Sequence, residues 1–282
     1  MTRVRIFASI FVLCMFALPA YADDIVVNTG SPDGKIATAS RPSSAGKIEI
    51  ETADDFFLGT DRTIIGGTFT GLLPTGASLS DVTGVTIEFY RVFPKDSDTM
   101  RTPNVLTRAN SPSDVEFSDR SSGAGNLSFT TTLLSGTFTA VNSVLNGIHP
   151  MPNQFTGGEG SVTGEEVQFS FSINPDFLPA DHYFFVPQVE LSNGDFFWLS
   201  APKPITGTGT TNPFPPGVMD LQTWIRNEDL APDWSRVGTD ITHQGPFNAS
   251  FSLVAAPEPS GFLLLGTGLI GLLGVARRKL GG

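Results

Sequence analysis

Alternation with a period of two dominates the middle of the chain. Val167, Phe169, Phe171 and Ile173 are interleaved with Gln168, Ser170 and Ser172, and Phe247, Ala249, Phe251 and Leu253 with Asn248, Ser250 and Ser252. Successive side chains of a strand point to opposite faces, so each segment has one apolar and one wet face and predicts an antiparallel strand. Val85, Ile87 and Phe89 continue the pattern in GVTIEFYRVF; shorter candidates are KIEI, TIIGGTFTGLL, LSFTTTLL, GTFTAV, HYFFVPQVEL and DFFWLS. SNGD, Ser192 to Asp195, supplies the Asn-Gly signal of a tight hairpin between the last two. DLQTWIRNE is open to two readings, one or two helical turns capped by Asp220 or a further strand. Many short strands separated by Gly, Pro, Ser and Thr predict an all-β fold, an antiparallel β-sandwich of jelly-roll-like or Ig-like kind. The long Pro/Gly/Ser/Thr/Asn-rich stretches 95–115, 147–164 and 201–217 are loops.

The two ends break this pattern. Arg3 and Arg5 precede an apolar stretch from Ile6 to Leu18 and the small-residue site Ala20-Tyr21-Ala22, the three parts of a secretory signal peptide over residues 1–22. A mature chain starting at Asp23 loses the single cysteine, Cys14, and with it disulfides, thiolate metal sites and cysteine nucleophiles. Residues 23–256 are then the exported β domain. After it, Gly261 to Ala276 is an uncharged run of 16 residues. As a helix it is about 24 Å long at about 1.5 Å per residue, against a hydrocarbon core of about 30 Å. Nine of the 16 are Phe, Leu, Ile or Val, together about −3 to −5 kcal/mol at the helix centre. The expectation is a marginal transmembrane helix over 261–276. Arg277, Arg278 and Lys279 resist crossing and hold the chain in the inner membrane with the domain outside.

Composition removes other classes. The formal net charge is −11, and five of the 17 basic residues lie in the terminal segments, so the domain between them is more acidic still. Such a surface repels nucleic acid. His149, His182 and His243 have no paired ligand spacing, and neither H-E-x-x-H nor G-x-S-x-G occurs. GSPDGKI departs from a phosphate loop in its glycine spacing and in Ile36. The carboxylates of KDSD (Lys95 to Asp98), Asp23-Asp24 and Asp54-Asp55 have calcium-ligand chemistry but lack the glycine and distal glutamate of an EF-hand, and read better as turn and strand-end residues. Neither a metal nor another cofactor is therefore expected. Trp198, Trp224 and Trp234 are weighed between core packing, the usual place of large aromatics, and stacking on a sugar face.

Pro257-Glu258-Pro259, the apolar run and Arg277-Arg278-Lys279 resemble the PEP-CTERM sorting signal of Gram-negative bacteria, and with the N-terminal signal they match its bipartite layout. LPADHYFFVPQVELSNGDFFWLSAPKPI, DLQTWIRNEDLAPDW and VTIEFYRVFPKDSD also resemble segments that recur in PEP-CTERM proteins. The resemblance implies processing by an exosortase, a membrane cysteine peptidase or transpeptidase-like enzyme, and placement at the cell surface or in an exopolysaccharide matrix. It implies an address and no reaction. The chain is thus expected to be a non-enzymatic exported protein with a structural or interaction role. A surface carbohydrate-binding module is the alternative, and a secreted glycan hydrolase a weaker one.

Overall fold

The computed structural model describes residues 24–44, 46–105, 108–148, 156–202, 214 and 217–257. Residues 1–22 with Cys14, His149, Glu258, Pro259, the run 261–276 and Arg277, Arg278 and Lys279 lie outside the described residues. No helix among the described residues is long and apolar enough to cross a membrane.

The domain Ile25–Ala256 is one compact unit. Its strands are β1 (Asp24–Asn28), β2 (Ile36–Ala39), β3 (Ile50–Phe57), β4 (Arg62–Pro74), β5 (Val82–Arg91), β6 (Ser118–Ser121), β7 (Leu127–Ala140), β8 (Asn142–Val144), β9 (Val162–Leu178), β10 (His182–Leu191), β11 (Phe197–Ala201), β12 (Trp224–Asn227), β13 (Ser235–Arg236), β14 (Asn248–Ala249) and β15 (Phe251–Ala255). One sheet has nine strands, in the order β1-β15-β4-β11-β2-β8, with β9 along the other edge of β4, β7 beyond β9, and β14 on β11. The second has six, in the order β13-β12-β3-β10-β5-β6. The pairings are antiparallel except for β2 with β8.

The predicted alternation places the core between the sheets. Val167, Phe169, Phe171 and Ile173 of β9 are buried, while Gln168, Ser170 and Ser172 face out. From the six-stranded sheet Phe56, Phe89 and Phe185 meet Phe69, Phe171, Trp198 and Phe251 of the other, with Phe185 stacked on Phe251 at 4.9 Å between centroids. Such ring pairs add to what area burial alone contributes. The Gly-rich stretch of β4 is explained by the same rings: a Cβ on Gly71 would lie 2.2 Å from Phe196 Cε2.

Several elements differ from the sequence reading. LSFTTTLL and GTFTAV are one strand, β7. Of KIEI only the last residue, Ile50, belongs to a strand, as the first of β3, and the ambiguous DLQTWIRNE contains the strand β12. The expected Phe247–Leu253 strand is divided at Ser250, where the chain leaves β11 for β4. The SNGD hairpin is corrected. Gly194 does turn with φ 78, yet β10 lies in the six-stranded sheet and β11 in the nine-stranded one. Both edges of β10 are already taken by β3 and β5. Phe196, fully buried against Phe69 and Phe169, draws the chain across to the opposite layer instead.

Candidate functional site

The sequence-nominated side chains mostly serve the fold. Trp198, Trp224 and Trp234 are 0%, 1% and 1% exposed. Their indole N–H groups donate to Ser250 O, Leu221 O and Ser113 O. No ring face is left open to stack on a sugar, so the glycan-contact expectation for these three residues is corrected in favour of core packing. His182 Nε2 lies 2.6 Å from Asp55 Oδ2. Burial pushes this imidazole down to about 4, so the neutral ring donates its Nε2–H to the carboxylate. His243 lies elsewhere, at φ 57, and no group of metal-holding side chains is found among the described residues. In KDSD, Lys95 pairs with Asp181, Asp96 takes the Arg91 guanidinium on both oxygens, and Asp98 accepts from Met100 N. The loop that follows is fastened down, since Arg101 reaches Asp114 at 3.0 Å and Asp233 at 2.7 Å.

Sequence reading left a surface groove unremarked. It encloses about 230 Å³ on the outer face of the nine-stranded sheet, lined by Asn28, Thr68, Thr70, Glu166, Gln168 and Ser252 among others. Thr68 and Ser252 of its lining belong to a ladder of hydroxyls that runs on beyond the groove: Ser252, Thr68, Ser170 and Thr130 stand side by side across β15, β4, β9 and β7. Thr68 Oγ1 and Ser252 Oγ are 2.8 Å apart. Thr70, Gln168 and Thr132 form the adjacent row. Neighbouring strands are about 4.8 Å apart, so the face offers closely spaced neutral donors and acceptors. Glu166 is the one carboxylate, and burial pushes its proton affinity up. The signal was present in the wet half of the alternation, Gln168, Ser170 and Ser172, but one strand cannot reveal its neighbours.

At the far end of β15 the chain leaves the domain without a spacer. Ala255 is fully buried and paired with Ile64, and Ala256 N donates to Thr63 O at 2.8 Å. Pro257 follows directly. β1 lies on the other side of β15, and Thr29 N donates to Phe251 O. That bond sets the end of β1 beside the start of β15, so the two run in opposite directions and Ile25 emerges beside Ala255. A family model, the PEP-CTERM protein-sorting motif, matches residues 255–279. The chain carries a PEP-CTERM sorting signal. No curated protein and no solved structure matches the chain.

The PEP-CTERM signal implies export and recognition by an exosortase, a membrane processing enzyme. Its first matched residue, Ala255, is also the last of β15, so the address and the fold share a residue.

Proposed function

We propose that this chain is a non-enzymatic, exported cell-surface or extracellular-matrix protein with a structural or interaction role, the β domain being the cargo and the C-terminal segment its delivery signal. In this reading Gly261–Ala276 halts in the inner membrane, Arg277, Arg278 and Lys279 hold it there, and an exosortase processes it near Pro257-Glu258-Pro259. The supporting observation is the sorting motif beginning at the final strand of the domain. The test is intact mass and fractionation of the protein from its host with and without the exosortase. A shortened C-terminus and a surface or matrix location, both lost in the deficient strain, are expected; an unchanged C-terminus and location in both strains refute processing.

The hydroxyl ladder favours a second reading, a surface carbohydrate contact made without aromatic stacking. Closely spaced Thr, Ser and Gln side chains exchange hydrogen bonds with a neutral polyhydroxylated chain, whereas the acidic domain repels an anionic one. Retention on immobilised neutral glycans that is lost with Gln168→Ala tests it, and failure to be retained on any neutral glycan counts against it.

A further inference from the structure

β7 is an edge strand of unusual composition. Among the described residues it pairs only with β9, leaving its other edge open. Its 14 residues, LSFTTTLLSGTFTA, contain no charge and no proline. From Leu127 to Leu133 it follows β9 without irregularity; bulges interrupt it only between Leu133 and Phe138. Ser128, Thr130 and Thr132 are exposed, and Leu133 and Leu134 are 47% and 49% exposed.

An open edge presents unpaired N–H and C=O groups, and folded proteins blunt such edges with short strands, charges, prolines or bulges. The other sheet edges here follow that rule. β8 has three residues, β6 has four including Asp119 and Arg120, and β13 has two. β1 has five and opens on Asp24. The first half of β7 has none of these devices, and its β-branched, uncharged seven-residue span is the kind that pairs with its own copy.

We propose that Leu127–Leu133 of β7 pairs antiparallel with the same segment of a second copy of this chain, joining the two nine-stranded sheets edge to edge. The occupant is set by charge and register. Two molecules of net charge −11 repel each other, and an uncharged strip is where their backbones approach at least cost. A twofold centred on Thr130 sets Leu127 opposite Leu133 and Ser128 opposite Thr132, so outward residues meet outward ones and the ladder of Ser252, Thr68, Ser170 and Thr130 continues into the second molecule. The bulged half beyond Leu133 twists away and limits the contact to this span. This inference goes beyond the delivery reading and does not depend on it.

The mature sequence lacks cysteine, which makes the test direct. The full chain is prepared with Cys14→Ser and either Thr130→Cys or, in the bulged half, Thr137→Cys, and oxidised mildly. A disulfide needs Cα atoms within about 7 Å, so a covalent dimer through position 130 and none through 137 is expected. Sedimentation equilibrium of the Cys14→Ser chain should give a dimer, and adding Thr130→Lys should give a monomer that keeps the β-sheet circular dichroism of the parent and a thermal midpoint that no longer rises with protein concentration. A monomeric parent chain, or a dimer that survives Thr130→Lys and does not crosslink at 130, overturns the proposal.

Discussion

Arg226 and Glu51 stand directly opposite each other on β12 and β3, and the guanidinium takes both carboxylate oxygens, with Nη2 2.9 Å from Oε1. Tyr90 Oη donates to the same Oε1 at 2.6 Å, and the guanidinium lies 4.3 Å from the centroid of Trp234. Burial, with the charges of Glu51 and Glu49, pushes the nearby Glu88 carboxyl well above its ordinary range. Breaking a buried ion pair by removing one partner costs about 3–5 kcal/mol, because the other charge is left uncompensated. Arg226→Met should therefore lower stability by about that amount in urea unfolding, while Glu51→Gln with Arg226→Met should recover a substantial part. A loss in the double variant equal to the sum of the losses in Arg226→Met and Glu51→Gln alone would show that the pair is not coupled.

The buried tryptophans separate fold from ligand contact. Trp198 is wholly enclosed and touches Phe185 and Phe251 edge to face, at 5.7 and 5.8 Å. Trp198→Ala should cost about 3–5 kcal/mol in denaturant unfolding. Gln168→Ala, on the outer face, should stay within about 0.5 kcal/mol of the parent. Any glycan retention should then vanish with Gln168→Ala at full stability, whereas under Trp198→Ala it should fall only as far as the domain unfolds.

Much of this architecture is legible in the residues, and what is hidden has a physical cause. Period-two patterning marks β5 and β9 because each has a wet and a dry face, whereas β10 is buried along both. β3 is harder to read: IETADDFF is buried on both faces, with Glu51 satisfied by Arg226 and Tyr90, Asp54 by Thr223 and Ala249 N, and Asp55 by His182 and Leu221 N, all from distant segments. The SNGD turn misleads because an Asn-Gly dipeptide encodes a local reversal and not which sheet the next strand joins. The sorting signal is readable because its physics is linear along the chain. The groove is not, because its floor comes from strands far apart in sequence.

The bond from Ala256 N to Thr63 O leaves a processing enzyme little slack. An exosortase that seats the residues before Pro257 in an extended cleft would have to meet the domain end or peel Ala255 and Ala256 off β4. The pairing of β15 with β4 is already irregular between Val254 and Ala255. Releasing one or two backbone hydrogen bonds at about 1 kcal/mol each lowers the competent fraction roughly 5- to 30-fold. A ten-residue Gly-Ser insertion between Ala256 and Pro257 should therefore speed precursor conversion by a similar factor in a pulse-chase experiment. Unchanged conversion would mean that the enzyme accepts the folded end as it stands.

Asp54 gives the domain a pH dependence opposite to ordinary acid denaturation. It is fully buried, accepting from Thr223 Oγ1 and Ala249 N, both at 2.9 Å. Desolvation first, then the charges of Asp55 and Asp220, push its carboxyl well above the ordinary range. The folded domain thus binds this proton more tightly than the unfolded chain does. Its stabilising contribution is complete below the unfolded carboxylate pKa, about 3.9, and is lost as pH rises through the folded value. Asp54→Asn removes the titration and keeps both contacts, since an amide oxygen accepts from Ala249 N and the Thr223 hydroxyl turns to accept from the amide nitrogen. In thermal melts the variant should unfold at a higher temperature than the parent at pH 8, and the difference should shrink toward pH 4. A difference of the same size at both pH values would mean that Asp54 does not titrate over that range in the folded domain.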